Sequence, residues 1–209
     1  MNLLLFFLAG ALSASPTARL EVGKGTVHLM RAGSSVWLPI ETNTEVLQGD
    51  KLRTYADTKA ILILADSSTV ELHPWSLLHI DSLDSQGQNF RLDMGSVRSR
   101  VAKFMRRFQV ATPVSVCAAR GTDYNVAVDP DQQGKTSVSV AEGKVSVKDD
   151  KGGEVLLAKG DSVIVLAEGL QTPARSSPSE ESESPPRRRR LFYSVMGAFV
   201  FIAVALVAI

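Results

Sequence analysis

Few residues in this chain are chemically equipped, and they are scattered. His28, His73 and His79 are its only histidines. His73 and His79 flank Pro74-Trp75 six positions apart, which matches no zinc-ligand spacing, and no second Cys or His cluster accompanies them. The expectation is therefore no metal and no cofactor. His28 falls on the polar side of a strand-like run and is expected to be solvated. Cys117 is the one cysteine, so an intrachain disulfide is excluded. A buried, inert thiol is expected there, because a reactive one needs a neighbouring base or a helix N-terminus. No G-x-S-x-G, Walker or Rossmann pattern occurs. Asp149-Asp150 followed by Lys151-Gly152-Gly153 reads as a hairpin turn and not a calcium loop, since the alternate acidic positions are missing. Together these features point away from an enzyme.

Charge offers the other candidates. Arg98, Arg100, Lys103, Arg106 and Arg107 lie within ten residues. They read either as a solvated edge that blocks strand-to-strand aggregation or as a dock for an anionic partner. That partner would be an envelope protein, a glycan or a lipid headgroup. Phe104 and Phe108 interleave too weakly for a nucleic-acid platform, and a formal net charge of +1 argues against nucleic acid generally. Arg120 and Asp123 bracket a turn and are expected to pin it by a local ion pair or backbone hydrogen bonds, with a ligand contact as the second reading. Trp37 and Trp75 are expected in core or rim packing first and as a sugar-stacking platform second.

The elements that must position these residues are strands. Val27 and Leu29, Val36, Leu38 and Ile40, Ile61 and Ile63, Val70 and Leu72, then Leu78 and Ile80 alternate with polar or turn residues. Phe108 and Val110, Val114 and Val116, Tyr124, Val126 and Val128 continue the period through the most idiosyncratic stretch. Pro113 interrupts it because it has no N–H, and Arg120-Gly121-Thr122-Asp123 breaks it again where Gly121 can take a positive φ. Only residues 97–108 fit a helix as well as a strand. Gly25, Gly95 and Gly143 each open a strand, and Gly49-Asp50 and Gly160-Asp161 each precede one. The spacing is too irregular for a solenoid and predicts an all-β jelly roll or β-roll over residues 20–168.

Both ends differ from this middle. Residues 1–15 are rich in Leu, Phe and Ala, with small residues at Ala11 to Ser15, and read as a signal peptide, although no Lys or Arg precedes Arg19. Residues 171–190 form a Pro/Ser/Glu linker closing on Arg187 to Arg190. Residues 191–209 are uncharged and mostly apolar, long enough at roughly 28 Å for a transmembrane helix. The signal peptide favours an extracytoplasmic domain on a bacterial cell membrane. The four arginines favour the opposite, a tail anchor with a cytoplasmic domain. The first is the preferred expectation.

Phe108, Val110, Thr112-Pro113, Arg120-Gly121-Thr122-Asp123-Tyr124 and Val126 resemble the signature of the FecR domain, the extracytoplasmic domain named after the ferric-citrate regulator. Gly49-Asp50-Lys51-Leu52-Arg53-Thr54, Val70-Glu71-Leu72 and Pro74-Trp75-Ser76 extend the resemblance upstream, and the run from Val138 to Val147 extends it downstream. One departure is visible: Asp66-Ser67-Ser68 stands where the family often has Asp-Gly, so that turn is expected to be made without glycine. The resemblance implies regulation of an extracytoplasmic-function sigma factor. In the family that role uses a cytoplasmic segment ahead of a membrane helix, for which the residues before Leu20 leave no room. The leading expectation is thus a membrane-anchored, non-enzymatic envelope sensing or binding module, with the sigma-factor regulator as the alternative.

Overall fold

The computed structural model describes residues 18–84, 86–103, 107–171 and 174–175. The expected signal peptide, the membrane helix, Arg106 and most of the linker lie outside the described residues. Among the described residues no helix is long and apolar enough to cross a membrane.

The alternating sequence folds as strands nearly throughout. In chain order they are β1 (Ala18–Lys24), β2 (Val27–Met30), β3 (Leu38–Ile40), β4 (Thr44–Val46), β5 (Lys51–Thr54) and β6 (Lys59–Ile63). Then come β7 (Thr69–Leu72), β8 (Leu77–Leu83), β9 (Gln88–Arg100), β10 (Phe108–Ala111), β11 (Ser115–Ala119) and β12 (Asp123–Asp129). After a 3-10 turn at Pro130–Gln132 follow β13 (Lys135–Glu142), β14 (Lys144–Asp149), β15 (Glu154–Ala158), β16 (Asp161–Leu166), β17 (Gly169–Leu170) and β18 (Ala174–Arg175). Paired strands therefore extend past residue 168 on one side and before residue 20 on the other.

Two ladders result. One runs β4-β1-β6-β7-β9-β12-β13-β16, with β17 and β18 both on β16. The other runs β3-β2-β5-β8-β9-β10-β11-β14-β15. Neither closes on itself. All pairs are antiparallel except β9 with β10. Strand β9 belongs to both ladders: its first half pairs with β8 and β10, its second with β7 and β12. Residues 97–100, the start of the 97–108 run that fits either period, are thus strand, because β7 and β12 supply partners on both sides.

The change of ladder within β9 occurs at Gly95, where φ is +86°. A Cβ there would lie 2.5 Å from both Ser76 Cα and Trp75 O. Ser76 fills the corner, its hydroxyl donating to the His73 and Ser96 carbonyls and accepting from Ser96 N–H. Other crossings use the same device. Thr58 Oγ1 donates to Thr26 O and accepts from Tyr55 N–H and Thr26 N–H. A buried hydroxyl satisfies the backbone groups that a ladder would otherwise pair, at a net worth of about 1 kcal/mol each.

The buried apolar side chains form one cluster drawn from both ladders. At its centre Phe90 and Phe108 lie 5.3 Å apart, with Tyr124 edge-on to Phe108 at 6.5 Å. Burying each such ring stabilises the fold by about 2–3 kcal/mol. Cys117 is fully buried in the same cluster, and burial pushes its thiol up to about 12, as an inert thiol requires. Val36 and Leu38 depart from expectation. Their alternation points to burial, yet they are 58% and 56% exposed: Leu38 is in β3, which pairs only with β2 among the described strands, and Val36 lies in the loop before it.

Replacing Gly95 by alanine is expected to cost more than about 2 kcal/mol, through backbone strain added to the clash at Ser76. Gly152→Ala is the control: φ is +89° there, but nothing lies within 4 Å of the new methyl. Urea unfolding of the two variants should show G95A as clearly the worse. Equal losses would mean that the close approach at Ser76 contributes nothing.

Candidate functional site: the signature corner and the outer faces

The signature residues build corners. Thr112 Oγ1 lies 2.9 Å from Ser115 Oγ and accepts from Thr136 Oγ1 at 2.9 Å, while Thr136 also donates to Gly134 O. All three hydroxyls are buried. Pro113 packs over Gly134, where a Cβ would come within 2.8 Å of its ring. The Thr-Pro pair thereby locks the β10–β11 hairpin onto the start of β13.

The second signature turn differs from the local pinning expected for it. Asp123 does not pair with Arg120. It takes a two-pronged contact from Arg98, Nε to Oδ1 at 2.8 Å and Nη2 to Oδ2 at 2.7 Å, with Arg100 Nε 3.4 Å from Oδ2. The reason is register: Asp123 stands opposite Arg100 on β9, and Arg98 is on the same outer side of that strand. The Arg98 guanidinium holds the Asp123 carboxyl below its ordinary range, against the opposing effect of burial. Arg120 instead donates to the Lys103 carbonyl at 3.3 Å. Gly121, at φ +63°, leaves space for Lys103, whose Cγ would be 2.9 Å from an added methyl. Tyr124 turns inward and is buried, which raises its hydroxyl well above the usual value.

The basic run is thus partly committed. Arg98 and Arg100 are held by Asp123, Lys103 lies along Gly121, and Arg107 packs against Gly87. The turn expected to form without glycine does so: Ser67 takes φ +68°, and Asp66 accepts from both Ser68 N–H and Ser68 Oγ. Asp149 closes the β14–β15 turn as expected, accepting from the Lys151, Gly153 and Leu170 amides.

Two features on the outer face of the second ladder escaped the linear reading. The first is an aromatic and cationic row. Arg53 Cζ sits 4.5 Å from the centre of the Trp37 ring. His28, opposite Arg53 in register, bonds through Nδ1 to Tyr55 Oη at 3.1 Å, so it is partnered and half-buried rather than solvated. Tyr55 is in turn edge-on to Trp75 at 6.3 Å. Trp75 is 57% exposed and has φ +58°, an uncommon conformation for so large a residue. The second is His79, which stands opposite both Lys51 and Arg91. Its Nδ1 lies 3.1 Å from Arg91 Nη2. A guanidinium can only donate, so Nδ1 accepts and the ring is neutral with its proton on Nε2. Nε2 is 2.7 Å from Asp93 Oδ2, an ion-pair distance without straight hydrogen-bond alignment. Burial lowers the His79 pKa; Asp93 and Asp81 pull it up, while Arg91 and Lys51 pull it down. No sequence spacing announces either group, because each is assembled across strands.

Two outcomes follow. Asp123→Asn should destabilise the chain by about 1 kcal/mol, given half-exposed arginine partners, as read by urea unfolding at pH 7. His79 should make stability pH-dependent. Its pKa is lower folded than unfolded, so the unfolded state takes up the proton first. Stability is full above the ordinary value of about 6.5 and falls as pH drops through the lower folded value. Urea midpoints at pH 7.5 and 5 should differ less for His79→Gln than for the parent, and an unchanged difference would remove His79 as the cause.

Comparison with known proteins follows the same corners. Residues 50–146 match the family described as FecR protein. An uncharacterized protein of Treponema pallidum (strain Nichols) is 23% identical over 167 residues, 78% of this chain; the chain spans 22% of that relative's length. Two crystal structures described as a candidate anti-sigma factor of Parabacteroides distasonis superpose with a TM-score of 0.53 at 18% identity, over 60% of this chain and 59% of theirs. That likeness is one of fold. With the Thr-Pro lock and the Arg-Gly-Thr-Asp-Tyr turn both inside the matched stretch, residues 50–146 are a FecR domain.

Proposed function

We propose that this chain is a non-enzymatic signalling module of the cell envelope that regulates an extracytoplasmic-function sigma factor. The observation that carries this reading is the FecR domain at residues 50–146, seconded by likeness of fold to a protein described as a candidate anti-sigma factor. The site geometry is compatible with recognition rather than bond-making. Asp123 is engaged by arginines, Cys117 is buried, and the signature hydroxyls hold corners. In this reading the domain senses or binds an envelope component and lies outside the cytoplasm, tethered through residues 171–190 to a membrane helix at 191–209. The passage of successive hairpins from one ladder to the other supports a roll-like wrapping of a single core.

Deleting the gene should alter transcription from the promoters of one extracytoplasmic-function sigma factor, read by RNA sequencing. Expressing the full chain should restore the parental pattern. If no sigma-dependent set changes, the regulatory reading fails, and an envelope binding module without a transcriptional output takes its place.

A further inference from the structure

We infer that the Trp37–Arg53–His28–Tyr55–Trp75 row is a membrane-docking face that seats on an anionic lipid surface. It rests on the proposal above that the chain is anchored in a membrane.

Four observations carry it. Trp75 is more than half exposed, and Trp37 lies half-buried under Arg53 on the second ladder's outer side. The strands there bring Pro39, His28, Arg53 and Leu77 into one lateral row, with no carboxylate among them. Lys51, two positions before Arg53 on the same side of β5, adds a second cation; in its row the carboxylates Asp81 and Asp93 are taken up by Arg91 and His79. Indole and phenol rings beside cations are the side chains that favour the headgroup level of a bilayer. A cation near an anionic surface adds about 1 kcal/mol, whereas a carboxylate in the row would be repelled.

The third observation is rigidity. Ser76, directly after Trp75, is held by Thr54 Oγ1 at 2.8 Å and by the Gly95 corner. Trp75 therefore projects from a fixed point in a strained backbone conformation, and its ring gains little burial in return. Such strain persists where a side chain must be presented. The fourth observation is ring geometry. Tyr55 and Trp75 meet at 65°, as do His28 and Tyr55, so the rings form an uneven edge and not a flat platform for stacked sugar rings. An uneven edge of aromatic rings beside cations suits insertion between lipid headgroups.

Trp37 and Trp75 are the only tryptophans of the chain, so tryptophan emission, excited where tyrosine does not absorb, reports on this face. The full chain would be reconstituted with vesicles of phosphatidylethanolamine and phosphatidylglycerol, some carrying lipids brominated near the headgroup. Flotation of the vesicles reads the anchor; quenching of tryptophan emission reads the face. The expected result is flotation with a blue shift and strong quenching. Lys51→Glu, high salt, or replacement of phosphatidylglycerol by phosphatidylcholine should each cut the quenching several-fold and leave flotation intact. Trp75→Phe should reduce the quenched signal to the part that Trp37 contributes, and far-UV circular dichroism would establish that each variant folds. Flotation without quenching overturns the docking face and leaves the anchor standing. Neither flotation nor quenching overturns both. An unquenched blue shift that grows with protein concentration overturns the lipid assignment and gives the face to a second copy of the chain.

Discussion

One strand carries both ladders. Residues 88–94 of β9 pair within the second ladder and residues 95–100 within the first, so every other element is placed relative to a single bent chain segment. The bend needs a residue without a Cβ, because Ser76 and the Trp75 carbonyl occupy the space a side chain would fill. It also needs a substitute for the hydrogen bonds lost where the ladder is interrupted, and the Ser76 hydroxyl supplies them. Backbone permissiveness on one strand and a buried hydroxyl in the turn before its neighbour are thus two halves of one solution.

The signature residues repeat that solution elsewhere. Thr112, Ser115 and Thr136 share hydrogen bonds beneath Pro113, and Asp123 ties the β12 start to β9. These residues identify the domain because they make its corners. The exposed aromatic and cationic row lies elsewhere, on the outer side of the second ladder. A corner must stay dry and satisfied whereas a docking face must stay exposed, so the proposed lipid-facing row and the signature fall on different parts of the domain.

Much of the fold was legible in the sequence. Alternation at Val27 and Leu29, Val70 and Leu72, or Val145 and Val147 marks burial that the structure confirms. The turn at Asp66-Ser67-Ser68 and the hairpin at Asp149 were also readable, since turn chemistry is local. Pairing was not. Arg98 and Asp123 are separated by 25 positions and meet only because β9 and β12 are neighbours. The same holds for His28 with Tyr55 and for Lys51, His79 and Arg91, where the neighbourhood is created by register. Alternation likewise misjudged Val36 and Leu38, because period tells which side a residue faces but not whether another strand covers it.

The uneven attachment of the terminal strands has a mechanical consequence. Strand β18 is held to β16 over only two register positions, Asp161 with Arg175 and Ser162 with Ala174. β9, in contrast, is flanked on both sides. Tension applied from the C-terminal side would load the β18–β16 contact first and peel it one bond at a time. The strand joining the ladders would yield only after its neighbours on both sides had been sheared. A pull on the tail would therefore lengthen the chain by a few residues before it disturbed the core.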